Sequence, residues 1–163
     1  MTIEKFQKTI LDWWRDPRTR ASSVRGMLPW RNTRDPYKIL VSEIMLQQTQ
    51  VTRVIPKYEE FLQAFPTLEA LAQAPDKKLL QVWTGLGYWR RAKYLKETAK
   101  ILVKRFFPRN PEQLEKLPGI GHYTARALAC FAFGSTEAFL DTNIRRVYLH
   151  FFFPKSKNVS DKK

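Results

Sequence analysis

An all-α fold is what this sequence predicts, on three observations. Apolar residues recur at helical spacing along nearly the whole chain, as in Ile3, Phe6, Ile10 and Trp13, and again in Tyr37, Leu40, Val41 and Ile44. No stretch alternates with the period of two that a half-buried strand requires. Helix starts are punctuated by capping side chains at Asp35-Pro36, Asp76 and Asn110-Pro111, twice with proline in the first turn.

Taken in order, the periodicity and caps predict helices at roughly 2–15, 36–49, 51–64, 68–74, 77–83, 88–106, 111–116, 122–133 and 142–152. Glycines at 85–87, the run from Pro118 to Gly121, and Gly134 mark breaks between them. The short connections imply a multi-helix bundle. Residues 1–26 read as a first helix followed by a polar, basic linker or DNA-facing loop from residue 16 onward. Residues 27–134 read as the main helical domain, with a helix-hairpin-helix at 111–133, and 135–163 as a loop, a helix and a frayed end from 154.

A chain of 163 residues, 44% hydrophobic and 13% aromatic, can bury a core. Its 29 Lys and Arg against 15 Asp and Glu give a formal charge of +14, scattered rather than gathered in one tail, which predicts a polyanionic partner, nucleic acid before membrane surface. Neither a membrane-spanning run nor a cleavable leader is evident, so an intracellular protein is expected. Cys130 is the only cysteine and His122 and His150 the only histidines, too few for a disulfide framework, a thiolate metal site or a zinc site.

Five motifs carry candidate chemistry. Leu117 to Gly134 (LPGIGHYTARALACFAFG) is a short helix, a glycine-hinged turn and an apolar helix; Gly119 and Gly121 suit backbone amides facing a phosphate, although an ordinary tight turn explains them too. Asp141, in LDTNIRRV, stands where a helix begins, as a cap, as a carboxylate able to stabilise positive charge, or both. Glu43, in SEIMLQQTQV, lies on a strongly apolar helix, either as a surface residue on its polar flank or as a partly desolvated acid able to donate a proton. Gln47, Gln48 and Thr49 end that helix with groups suited to base edges. LPWR (Leu28 to Arg31) and WTGLGYWRRA (Trp83 to Ala92) mix apolar wedges with arginine. Leu86 and Tyr88 suit insertion into a base stack and Arg90 and Arg91 suit phosphates, with core packing as the alternative for the aromatics.

In this combination, order and spacing, SEIMLQQTQV, WTGLGYWRRA, LPGIGHYTARAL and LDTNIRRV resemble the helix-hairpin-helix DNA glycosylases of the endonuclease III-like superfamily, and specifically the MutY-type adenine glycosylases, from about Leu28 to Val147. The resemblance implies base flipping in double-stranded DNA bearing mismatched or oxidised bases, and removal of adenine opposite 8-oxoguanine or guanine. It implies Glu43 as the acid that protonates adenine N7 and Asp141 as the carboxylate that stabilises the oxocarbenium-like sugar. Tyr123 stands where bifunctional relatives carry a Schiff-base lysine, which implies hydrolysis without strong strand nicking. Leu46, Gln48, Thr49, Leu86 and Tyr88 match DNA-contacting positions, the last four beside the opposite base, and Leu28, Trp30 and Arg31 match positions lining the adenine pocket. Gly119 and Gly121 match the phosphate-binding hairpin. The family's further helices, its four-cysteine iron–sulfur (4Fe-4S) cluster and its frequent carboxy-terminal domain are absent from these residues, so no cofactor is expected in this chain, and its second helical domain is incomplete. Thr142 stands where many of these proteins have glycine. A thymine or uracil mismatch glycosylase and a non-catalytic DNA-binding fragment are the competing expectations. A monomer in the cytoplasm, associated with the nucleoid in a prokaryote, is the expected setting.

Overall fold

The structure, a computed structural model, describes residues 1–18 and 28–154. Most of the linker reading and nearly all of the frayed end lie outside the described residues. Among those described there are helices and turns and no strand. The chain divides into two compact units, Leu28–Phe139 and a second made of Met1–Met27 with Leu140–Lys163.

The larger unit is organised around α2 (Pro36–Leu46), with α1 (Ile3–Arg15) belonging to the other. Asp35 caps α2 by accepting from the Tyr37 and Lys38 amides, and Pro36 fills the first turn, where its missing donor has no cost. Tyr37 and every residue from Ile39 to Met45 are buried, so this helix meets protein around its circumference. Its neighbours are a 3-10 turn at Pro29–Asn32, α3 (Val51–Ala64), α6 (Arg90–Leu102) and α8 (His122–Phe133). The Tyr37 hydroxyl donates to the Phe65 carbonyl at 2.6 Å, fixing the start of α2 to the end of α3. Short helices α4 (Leu68–Gln73) and α5 (Asp76–Trp83) close the far side against α6 and α3, and α7 (Pro111–Leu114) packs on α8. Trp83, Phe61 and Phe65 form tilted edge contacts in the middle of this core.

The smaller unit pairs α1 with α9 (Thr142–Phe152). Phe6, the one buried residue of α1, lies between the rings of Tyr148, Phe151 and Phe152, with centroids 5.1–5.6 Å away.

Several predicted boundaries move. The helix expected over 36–49 stops at Leu46, because Gln48 takes a left-handed φ of +55°. The one expected over 88–106 runs from Arg90 to Leu102, and that expected over 111–116 closes at Leu114. Asp76 is not a cap: Pro75 holds that position, and the Asp76 carboxylate instead pairs with Lys96 across α6. Asn110 does cap, accepting from the Glu112 and Gln113 amides.

Candidate active site and nucleic-acid interface

Glu43 sits one turn before the end of α2 and is buried at 8% exposure, among Leu40, Val41, Ile44 and Met45 that are essentially inaccessible. The reading of it as a solvated surface glutamate does not survive this burial. The 3-10 turn that packs on α2 carries Leu28 and Trp30 inward, Trp30 against the Tyr58 ring at 5.3 Å, while Arg31 stays exposed. Leu46, the last residue of α2, is half-buried against the core.

Beyond Leu46 the chain turns sharply and runs beside the glycine turn that follows α5. Together they form an open groove of about 550 Å³ lined by Gln48, Thr49, Gln50, Arg53 and residues 85–89. Four of the sequence-predicted contact residues, Gln48, Thr49, Leu86 and Tyr88, therefore share one concavity although nearly forty positions separate the pairs. Gln48 and Tyr88 are exposed. Leu86 departs from its predicted role as a wedge: it is 3% exposed and part of the core, and the apolar side chains presented at this turn are Tyr88 and Trp89.

Arg91 also departs from expectation. A phosphate ligand must face solvent, yet Arg91 is buried and its guanidinium is spent on backbone carbonyls and the Thr49 hydroxyl. Nη1 donates to Ile44 O at 3.0 Å, to Met45 O at 2.9 Å and to Gln47 O, and Nη2 donates to Thr49 Oγ1 at 3.0 Å, Leu86 O at 2.9 Å and Gly87 O at 3.4 Å. Its carbon lies 5.2 Å from the Tyr88 ring centre and 5.6 Å from that of Trp83. Burial pulls this guanidinium below the ordinary arginine value. Side-chain direction on a helix start is decided by tertiary packing, and two adjacent arginines gave no sign of which turns inward. Gln47, expected among the base-reading groups, instead donates through Nε2 to Gly119 O at 3.4 Å and Thr124 Oγ1 at 3.3 Å, tying the end of α2 to the hairpin.

The hairpin joins α7 to α8 through Leu117–Gly121. Gly119 has φ +75°, and a Cβ there would fall 2.9 Å from Tyr94 Cβ, so both conformation and close approach require glycine. Thr98, fully buried, donates to the Pro118 carbonyl at 3.0 Å from beneath. Gly121 is the N-cap of α8, with no side chain capping the first amides and open space where a Cβ would stand. Arg126 braces the outer side, bonded to Glu115 at 2.5 Å and within ion-pair reach of Glu112 and Glu137. Tyr123, in the first turn of α8, is part exposed and packs edge-on to Phe139 at 5.5 Å.

In the other unit, Asp141 caps α9 as expected, its Oδ1 accepting from Asn143 N at 2.6 Å and Ile144 N at 2.9 Å. No group of three or more His, Cys, Asp or Glu able to hold a metal ion occurs among the described residues.

The chain is 42% identical over 165 residues to the adenine DNA glycosylase of Buchnera aphidicola subsp. Baizongia pistaciae (strain Bp), covering 99% of this chain and 44% of that protein. It is 47% identical over 142 residues to the adenine DNA glycosylase of Mycolicibacterium smegmatis (strain ATCC 700084 / mc(2)155), covering 85% and 46%. It thus spans less than half the length of these curated relatives. Among solved structures, a thermostable thymine-DNA glycosylase superposes with a TM-score of 0.77 at 34% identity, over 89% of this chain and 65% of that one. The sequence pattern of the HhH-GPD superfamily base excision DNA repair proteins matches residues 41–163, which takes in the second half of α2 with Glu43, the hairpin, Asp141 and α9. The chain belongs to the HhH-GPD superfamily of base excision DNA repair proteins.

Proposed function

We propose that this chain is the catalytic helical part of an adenine DNA glycosylase, acting on adenine opposite 8-oxoguanine or guanine in double-stranded DNA. The observation that carries the reading is Glu43: a carboxyl buried among Leu40, Val41, Ile44 and Met45 on α2, a few residues before a groove that presents Gln48, Thr49 and Tyr88. A carboxyl in that place is within the chain's reach of the groove and of the chemical type that transfers protons to a leaving base.

In this reading Glu43 protonates N7 of a flipped adenine, the N-glycosidic bond breaks with its electrons leaving on the base, and water adds to the sugar carbon while its proton returns to the Glu43 carboxylate. Asp141 stabilises the positive charge on the sugar; both capping amides bind Oδ1, leaving Oδ2 for that task. Tyr123 has no amine and forms no imine, so the product is an intact abasic site. Leu28, Trp30 and Arg31 line the adenine pocket, Leu46, Gln48, Thr49 and Tyr88 meet the duplex beside the opposite base, and Gly119 and Gly121 leave the uncapped start of α8 open to a phosphate. These residues do not fit a four-thiolate cluster, since Cys130 is the only cysteine. The protein works as a monomer on cellular DNA, in the cytoplasm and at the nucleoid in a prokaryote.

A second reading, removal of thymine or uracil opposite guanine, is favoured by the likeness to the thermostable thymine-DNA glycosylase. The two separate in one assay. The chain is incubated with duplexes holding adenine opposite 8-oxoguanine, thymine opposite guanine or uracil opposite guanine, and abasic sites are then cleaved with alkali. Product from the first duplex alone is the expected result; product from the other two alone establishes the second reading, and binding with no product from any marks a non-catalytic DNA-binding fragment.

A further inference from the structure

Two non-glycine residues among those described have positive φ, Gln48 at +55° and Tyr88 at +48°. Both lie in the groove, on different chain segments, and both are side chains it exposes. Left-handed backbone at such residues persists only where the surroundings impose it. Arg91 supplies that imposition at both places. Its acceptors bracket Gln48 on either side, through Gln47 O and Thr49 Oγ1, and precede Tyr88 directly, through Leu86 O and Gly87 O. Its planar face lies beside the Tyr88 ring. The Trp83 indole adds a bond from Nε1 to Gly87 O at 3.0 Å, and Thr49 Oγ1 lies 3.4 Å from Leu86 O.

We infer that Arg91 is a positioning residue for base recognition, a single buried guanidinium that holds Gln48 and Tyr88 in the strained conformations from which they meet DNA. It touches no nucleic acid itself. The fork of a guanidinium reaches acceptors on two segments at once, and the ammonium of lysine, a compact point charge, does not. The part of the inference that concerns recognition rests on the reading of the groove as a DNA interface; the part that concerns the two turns does not.

The test uses the whole chain with Arg91→Lys, Arg91→Gln and Tyr88→Ala. Amide hydrogen exchange comes first and needs no DNA. Arg91→Lys is expected to speed exchange at least tenfold across 47–49 and 85–88 while α8 and the hairpin keep parental protection and helical circular dichroism is retained. Unchanged exchange in those two turns overturns the inference, and so does a loss of helix throughout the unit, which makes Arg91 a general core residue.

Binding follows. Affinity for undamaged duplex is expected to keep its salt slope in Arg91→Gln, whereas loss of a phosphate contact shallows it by about 0.9 and overturns the inference. The ratio of affinity for adenine opposite 8-oxoguanine over undamaged duplex is expected to fall at least tenfold in Arg91→Lys. In the Tyr88→Ala background the same change is expected to cost less than threefold, because the side chain it positions is gone; an equal loss in both backgrounds overturns the inference. A parent chain with no such preference defeats the adenine reading, and the exchange result then still decides whether Arg91 holds the two turns.

Discussion

Gly119→Ala strikes the hairpin where its geometry is tightest. At φ +75° an L residue carries about 1–2 kcal/mol of left-handed strain. The added Cβ also falls 2.9 Å from Tyr94 Cβ and 3.2 Å from its Cδ2. A Cβ is fixed to its own backbone, so Tyr94 cannot swing aside and the turn has to move off α6. Overpacking of this kind costs about 1–3 kcal/mol, which brings the total to roughly 2–5 kcal/mol. For a unit the size of Leu28–Phe139, where 1 kcal/mol displaces the midpoint by about 4 °C, the expected fall in Tm is roughly 8–20 °C. Gly121→Ala is the matched control. Its φ of −91° suits any residue and nothing stands within 4 Å of the new methyl, so only the weaker capping of alanine is lost, at most about 1 kcal/mol. Thermal melts of both variants, followed by far-ultraviolet circular dichroism, read the difference. A fall below about 3 °C for Gly119→Ala, or equal falls for the pair, refutes the packing argument.

Three further outcomes are expected. Glu43→Gln keeps the volume of the side chain and removes its proton, so excision of adenine slows by about two orders of magnitude or more while duplex affinity is retained; a rate near that of the parent removes Glu43 from the chemistry. Affinity for undamaged duplex falls steeply as salt rises, with a log–log slope of about −0.9 for each phosphate neutralised, and a flat response denies the +14 charge its assigned role. Borohydride traps little covalent protein–DNA adduct with the parent and more with Tyr123→Lys, which puts an amine in the first turn of α8; efficient trapping of the parent, unaltered by the substitution, makes another lysine the nucleophile.

Locally decided structure was legible at most helix starts, Asp76 being the exception. Asp35-Pro36, Asn110-Pro111 and Asp141 each announce a helix through side chains that bond their own next turn, and α2, α3, α8 and α9 begin where those signals or the periodicity put them. The loops around Gln48 and Tyr88 were legible as motifs. Their sharing of one groove depends on Arg91, whose acceptors lie up to 47 positions away, and no local pattern encodes that reach. The same holds for Leu86, for which a glycine on each side suggested an exposed tip and tertiary packing delivered the core. Glu43 is an intermediate case: an acid beside an apolar stripe is conspicuous in the sequence, but whether it faces solvent or the interior was open until the packing around α2 placed it inside.

The pairing of α1 with α9 sets an order of events during synthesis. The core cluster of residues 28–139 is built from side chains within that stretch, which can begin to close as soon as Phe139 has left the ribosome. Phe6, by contrast, waits through more than a hundred residues for Tyr148, Phe151 and Phe152, and contacts so distant in sequence close late and against a large loop entropy. Throughout that interval α1 carries Ile10, Leu11, Trp13 and Trp14 with its one buried contact still unmade, which leaves this helix an apolar surface open to association with other chains.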